Sequence, residues 1–323
     1  MRAVSTVIRA VALSLALAAT AALAQDYPTR PIHMIVPYPP GGGTDIVARV
    51  MAEHFSRAFK QQFFVENRPG AGNMIGIESV ARAAPDGYTL LFVPSTLALN
   101  SVMYKKVSYD PVRDFAPITL AAVAPNVLVV NPKVQAQSIA ELIALAKQKP
   151  GQLTYGTPGI GTSPHMAMEL FKSLADVDLQ HIPYRGTAPA MTDVISGQIT
   201  AMFSNALTAK PQIESGAVRA LGVSSRKRSE SMPNIPTIAE AGVPNYEATQ
   251  WYGLVAPAGT PADIIARLNA EATQALKTQD MKDKLASDGA EPVGTTPAEF
   301  AAHIKSELEK WTNVARVAKI EAQ

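Results

Sequence analysis

Two glycine-rich stretches carry most of the chemistry legible in this chain. They are Tyr38-Pro39-Pro40-Gly41-Gly42-Gly43-Thr44-Asp45 and, about half a chain later, Gly156-Thr157-Pro158-Gly159-Ile160-Gly161-Thr162-Ser163. The first follows an apolar, strand-like run at 32–36 and opens an amphipathic segment at 46–59, so it sits where a strand turns into a helix. Glycines lack a Cβ and tolerate positive φ, which lets the backbone approach a bound group closely. The free N–H groups and positive dipole end of the helix that follows favour an anion. Two such cradles facing one another would make a clamp.

Other uses of glycine-rich loops fit poorly. Neither stretch continues into the Gly-Lys-Ser/Thr of a phosphate-binding P-loop, and the first lacks the Gly-x-Gly-x-x-Gly spacing of a dinucleotide site. A Gly-x-Ser-x-Gly nucleophile turn is absent, and His165 has no companions for a metal triad. No cofactor and no metal are expected.

The elements that must position these loops alternate, which predicts an α/β protein with largely parallel sheets. Strands are expected at 32–36, 63–66, 89–93, 127–130, 154–156, 178–182, 199–203 and 220–223. Ser138 with Glu141 forms a capping box in front of a helix at 139–149. Thr260, Pro261 and Asp263 open a helix to 277, Thr296, Pro297 and Glu299 open the last one, and Gly197 closes a helix that begins near Ala188. The segments 118–132 and 247–257 are apolar for long enough to cross between lobes. If both cross, residues 25–123 with 249–323 form a discontinuous first lobe and 124–248 the second.

Residues 1–24 read as a secretory signal peptide, with Arg2 and Arg9 ahead of an uncharged run that ends Ala22-Leu23-Ala24, so cleavage is expected before Gln25. That removal leaves 27 basic residues against 27 acidic ones. A polyanionic partner is not implied, and Arg226-Lys227-Arg228 lacks the interleaved aromatics of a nucleic-acid patch. No second span reads as membrane-crossing, and the absence of cysteine excludes disulfides and thiolate metal sites. Roughly 300 mature residues fit two domains.

Five motifs now stand in a fixed order: the first loop; Asn67-Arg68-Pro69-Gly70-Ala71-Gly72; Pro85-Asp86-Gly87-Tyr88-Thr89-Leu90-Leu91; Gly159-Ile160-Gly161-Thr162-Ser163-Pro164-His165; and Ile235-Pro236-Thr237-Ile238-Ala239-Glu240-Ala241-Gly242. Together they resemble the Bug family, the periplasmic solute-binding proteins of tripartite tricarboxylate transporters, over essentially the whole mature chain. The resemblance implies a two-lobed periplasmic binding fold of type II, each lobe a mainly parallel sheet flanked by helices, with two crossing strands as hinge. It also implies a small carboxylate in the cleft, gripped by backbone amides, hydroxyls and bridging waters.

Carried over by motif, the first lobe would contribute Tyr38, Gly42, Gly43, Thr44, Asp45, Ala71 and Gly72. A Thr44 hydroxyl can donate to a carboxylate, whereas Asp45 suits a ligand ammonium or hydroxyl, or serves only as a helix cap. Ser95 and Thr96 end a strand where open α/β sheets bind ligands, or cap the next helix. The second lobe would contribute Thr157, Gly161, Thr162 and Ser163, with His165 either a structural group or an edge contact. Tyr184-Arg185-Gly186-Thr187-Ala188 resembles the family's Tyr-Lys/Arg-Gly turn before a helix, where Arg185 could pair with a distal carboxylate or face solvent and the backbone of 186–188 donate, and selectivity is expected to be decided there. In Phe203-Ser204-Asn205, Ser204 stands where the family's Phe-Asp-Asn step often has an acid, which disfavours an ammonium ligand, and Trp251 either walls the cleft or packs in the core.

The function expected is therefore capture of an organic acid, dicarboxylate or amino acid by a monomer, followed by delivery to integral-membrane permease subunits. A periplasmic sensor subunit serving a signalling receptor uses the same cleft, and an exported enzyme acting on a carboxylate is the remaining alternative.

Overall fold

The computed structural model describes residues 27–322, apart from 42, 185, 288, 318, 319 and 321 and the side chains of 207 and 287. The expected leader, 1–24, lies outside the described residues, as do Gly42 and Arg185.

Two groups of strands share one long member. In the first, β1 (Ile32–Val36), β2 (Phe63–Asn67) and β3 (Thr89–Pro94) run parallel in the order β2-β1-β3. In the second, β5 (Thr154–Thr157), β6 (Gln180–Pro183) and β7 (Ala201–Asn205) run parallel in the order β6-β5-β7. The shared strand is β4 (Phe115–Val130). Its stretch from Phe115 to Pro125 pairs antiparallel with β9 (Thr249–Pro257), which itself pairs with β3. From Asn126 onward β4 changes partners and pairs with β7 on one side and β8 (Arg219–Val223) on the other. The short β10 (Glu291–Pro292) pairs with β4 at Val123 and Ala122. Prolines cannot donate to a ladder, and the register of β4 against β9 shifts immediately after Pro117.

The expected strands recur within a residue or two, except that the one expected at 127–130 is only the end of the 16-residue β4, whose body is the long apolar run at 118–132. The second crossing takes a different form, because β9 begins at Thr249 and the residue before it, Ala248, donates its N–H to Ser224 O at 2.9 Å. That bond ties the root of β9 to the end of β8.

Helices cover both faces of each strand group, so inner strands such as β3 are buried and apolar over most of their length, whereas the edge strands β2 and β6 carry polar residues. On β3, Leu90 and Phe92 face a core shared with α1 (Gly43–Phe59), α8 (Ala262–Ala275) and α9 (Gln279–Ser287). Leu91 and Val93 face the opposite core, with α2 (Met74–Ala81) and α3 (Thr96–Met103). In the second group, Phe203 faces α4 (Ile139–Gln148) and α5 (Ser163–Ala175), while Met202 faces α6 (Thr187–Ser196) and α7 (Ala206–Glu214).

The C-terminal helix α10 (Pro297–Val317) divides its packing: Phe300 and Ile304 sit with Trp251 and β3, whereas Trp311 and Val314 sit with Met166 and Phe171 of α5. The local start signals hold where a side chain was free to cap. Ser138 accepts from the Glu141 N–H while Glu141 accepts from Gln137, and Thr296 and Glu299 bond reciprocally. Thr260 does not cap α8, because its hydroxyl donates to Pro257 O at 2.8 Å.

Among the described residues, no helix is long and apolar enough to cross a membrane.

Candidate functional site

The glycine-rich loops lie at the carboxyl ends of the parallel strands: 38–43 after β1, 68–73 after β2, 158–162 after β5 and 184–186 after β6. This is where open α/β sheets present loops to ligands. Three of the loops meet on one helix, α3. Tyr38 donates its hydroxyl to Thr96 Oγ1 at 3.2 Å, and Asn100 donates to Gly72 O at 2.9 Å. A Cβ placed on Gly161 would stand 3.1 Å from Met103 Cγ. Loops from both strand groups thus converge on the segment from Thr96 to Met103.

The first loop is braced from within. Asp45 is buried, and its Oδ2 accepts from the Gly41 N–H at 2.9 Å and from Arg49 Nε at 3.0 Å, while Oδ1 accepts from Asn67 Nδ2 at 2.9 Å. Burial alone would raise this carboxyl, but the bonds from Arg49, Gly41 and Asn67 outweigh it and hold Asp45 below the usual range. Of the two roles expected for Asp45, the structure supplies the cap and leaves little of the carboxylate for a ligand ammonium. Asn67 Nδ2 also donates to Tyr38 O at 2.9 Å, so one amide holds both ends of the loop. Gly43 begins α1, and Thr44 lies buried next to it with no described residue bonding its hydroxyl. Burial pushes the Tyr38 phenol up to about 12, so it remains a neutral donor.

In the neighbouring turn, Gly70, Ala71, Gly72 and Asn73 all carry positive φ, at 124°, 47°, 65° and 73°. Left-handed geometry at Ala71 and Asn73 is strained, and such strain gathers at functional sites. Next door, Ser95 does not cap α3 with its side chain. Its N–H donates to Trp251 O at 3.0 Å, which fixes the end of β3.

The second loop is held by its own side chains. Thr162 stands at the N-cap of α5, yet its hydroxyl donates to Gly159 O at 2.8 Å, leaving the helix without a side-chain cap. Ser163 Oγ accepts from Asn126 Nδ2 at 3.0 Å, linking α5 to the point where β4 changes partners. The Gly161 N–H, expected to donate to a ligand, donates instead to His165 Nδ1 at 3.2 Å. Gly186 likewise gives its N–H to Pro158 O at 3.1 Å, and Gly186, the N-cap of α6, provides no side-chain cap.

Several expected contacts turn inward. Trp251 is fully buried, meets Phe300 edge-on at 5.6 Å between ring centres and belongs to the core, not to a cleft wall. Ser204 is fully buried within β7, and Asn205 Oδ1 caps α7 by accepting from the Thr208 N–H at 2.9 Å. The Tyr184 hydroxyl donates to Asp193 Oδ2 at 2.7 Å, and burial together with that carboxylate raises the phenol to about 12. Thr157 is fully buried, with its hydroxyl 2.7 Å from His181 Nε2. His165 is buried and held neutral, its ionisation depressed to about 3 by desolvation and then by His181 and Lys172, as suits the structural group of its two expected roles. Thr187 stays half-buried and Ala188 exposed at the start of α6.

A pattern remains after these bonds are assigned. The N-termini of α3, α5 and α6 follow parallel strands at this edge and lack side-chain caps, whereas α4 and α7 carry Ser138 and Asn205 caps. Uncapped helix starts leave N–H groups and positive dipole ends available to an anion. Asn67, Asn100 and Asn126 were not legible as parts of the site, because an isolated asparagine in sequence does not reveal which distant backbone it will brace. A cavity of about 580 Å³ lies elsewhere, between α4 and α5 beside Lys147 and Lys172. Among the described residues no cluster of three or more His, Asp or Glu is placed to hold a metal ion.

The fold and sequence are similar to those of known proteins. The family model described as the tripartite tricarboxylate transporter family receptor matches residues 47–320. Protein BugT of Bordetella pertussis is 38% identical over 295 residues, spanning 91% of this chain and 90% of BugT. The solved structure of R. palustris Rpa4515 with adipate superimposes with a TM-score of 0.80 at 36% identity, covering 92% of this chain and 100% of that one. MatC from Rhodopseudomonas palustris, with bound malate, gives 0.75 at 30% identity over 89% of this chain and 99% of its own. A two-sheet periplasmic binding fold, matched over nearly its full length and carrying its glycine-rich loops at one edge, makes this chain a member of the tripartite tricarboxylate transporter receptor family, whose members are solute-binding proteins.

Proposed function

We propose that this protein captures one small carboxylate between the loops of its two strand groups, chiefly through backbone N–H groups and hydroxyls, and delivers it to integral-membrane permease subunits. The observation that carries this reading is the group of uncapped helix starts at α3, α5 and α6 beside three glycine-rich loops that share α3. Adipate and malate in the two relatives' structures support the ligand class. Residues 25–123 with 249–323 act as one lobe and 124–248 as the other, closing about the Pro125–Asn126 step of β4, where the pairing partners change. The chain works outside the cytoplasm as a monomer after loss of residues 1–24, and it binds without catalysing, since both histidines beside the second loop, His165 and His181, are already engaged by it.

The demands on such a site are modest. A micromolar dissociation constant corresponds to about 8 kcal/mol, and charge-assisted hydrogen bonds of roughly 1.5–3 kcal/mol each can offset the cost of closing.

The test is calorimetric titration with adipate, malate, citrate and benzoate, each beside its amide counterpart. Binding of at least one acid and of no amide is expected. Equal binding of acid and amide, or of none of the acids, would sink the proposal.

A further inference from the structure

Behind the second loop lies a stacked pair of imidazoles. The rings of His165 in α5 and His181 in β6 are 4.3 Å apart and 22° from parallel. Each holds one end of the same loop: His165 Nδ1 accepts from the Gly161 N–H at 3.2 Å, and His181 Nε2 bonds the Thr157 hydroxyl at 2.7 Å. The geometry at His165 extends a capping box. In that motif the third residue of a helix reaches back to the N-cap N–H. His165 is the third residue of α5 and reaches one residue further, past the N-cap Thr162 to Gly161.

The pair is itself wedged in place. Tyr155 of β5 stacks on the far face of His181, with ring centres 4.9 Å apart, and gives its hydroxyl to the buried Glu169 carboxylate. Lys172 completes that group at 2.8 Å from Glu169 Oε1. Tyr155, Glu169 and Lys172 are the titratable groups that face the two rings from β5 and α5. An imidazole that accepts at Nδ1 must carry its single proton at Nε2. Desolvation first, and then the charge of the other ring and of Lys172, keeps His165 in that neutral form.

We propose that His165 and His181 are positioning residues for ligand capture: the stacked pair grips the Thr157–Gly161 loop at both ends, so that the donors at the start of α5 keep one arrangement for the incoming carboxylate. The inference rests on the reading that this loop holds the ligand. It adds that a buried aromatic pair, touching no ligand, sets how tightly the loop binds.

Two variants separate the roles of the ring. His165→Phe keeps the stack and removes the acceptor, whereas His165→Asn keeps an acceptor near the Nδ1 position and removes the stack. With whichever of adipate, malate, citrate or benzoate binds the parent most tightly, His165→Phe is expected to weaken calorimetric affinity about tenfold or more, as loss of one hydrogen bond implies, and His165→Asn to recover most of it. Parent-like affinity in His165→Phe, or loss in the Asn variant alone, overturns the proposal. A second measurement uses the unaltered protein and needs neither variant to fold. Nitrogen NMR should find His165 protonated at Nε2 and bare at Nδ1 from about pH 5 to 8, with a slowly exchanging Gly161 amide. A proton on Nδ1, or a Gly161 amide that exchanges as fast as an exposed loop, overturns the grip whatever the ligand. If none of the four acids binds the parent while the NMR signature is present, the reading of the ligand has failed and the loop grip has not.

Discussion

Glu307 in the C-terminal helix accepts the indole N–H of Trp251 from β9 at 3.2 Å, in the middle of the protein. The same carboxylate oxygen accepts from Trp311 at 2.9 Å, and Lys310 pairs with the other oxygen. Trp251 belongs to the core of the first strand group and Trp311 to that of the second. One buried carboxylate therefore fastens two cores to one helix, and its burial is offset by two indole donors and the Lys310 ammonium.

Replacing Glu307 by Leu strands two buried indole donors, each worth about 1–3 kcal/mol when unsatisfied, so a loss of about 3 kcal/mol is expected in urea unfolding. A loss under about 0.5 kcal/mol would show that the carboxylate holds nothing together.

Gly253 in β9 faces Phe300 of the same helix, and a Cβ there would lie 2.1 Å from the ring. Gly253→Ala should lower stability by roughly 1–3 kcal/mol through overpacking, with a visible drop in Tm. Gly216 has nothing within 4 Å and only its φ of 74° against it, so Gly216→Ala should cost about 1 kcal/mol. Equal effects at the two positions would contradict the packing argument.

Acid should weaken the fold through its buried histidines. His165, His181 and His303 all titrate below the unfolded value of 6.5, chiefly because burial disfavours their charged forms. A depressed histidine contributes its full share above the unfolded pKa, and that share shrinks as pH falls from about 6.5 toward the folded value. Unfolding free energy measured across pH 7 to about 4 should decline from roughly 6.5 downward; a flat profile would place these rings in water.

Asp45 already accepts from three donors, so it should not discriminate for an ammonium group. Asp45→Asn is expected to weaken binding of succinate and aspartate by similar factors, because it loosens the loop and not a ligand contact. A selective loss of aspartate would place the carboxylate on the ligand.

At Gly161, a side chain meets both a φ of 75° and Met103 at 3.1 Å. Gly161→Val should abolish carboxylate binding at unchanged far-ultraviolet circular dichroism. Retained affinity would remove this loop from the site.

Much of the architecture was legible because its signals are local. Apolar runs marked the strands, and capping residues marked helix starts at Ser138 and Thr296, where the bonds lie three or four residues apart. The glycine-rich loops were legible for the same reason, since a tight turn between strand and helix is written in its own few residues. The side-chain environments were not legible, for one cause. Trp251, Tyr184, Ser204 and Asn205 have types suited to a site, yet which neighbours such a side chain meets depends on partners outside its own motif. Phe300 and Glu307 claimed the tryptophan, and Asp193 claimed the tyrosine.

By itself the sequence determined the α/β alternation, the family and the places of the glycine-rich loops between strand and helix, because each is encoded within a turn or a short motif. Tertiary structure alone decided that α10 spans both cores, that the Gly161 amide is held by His165, and that the three loops meet on α3. The physical reason is that hydrogen bonds and packing across dozens of residues depend on which surfaces the folded chain brings within about 4 Å, and no local pattern records that distance.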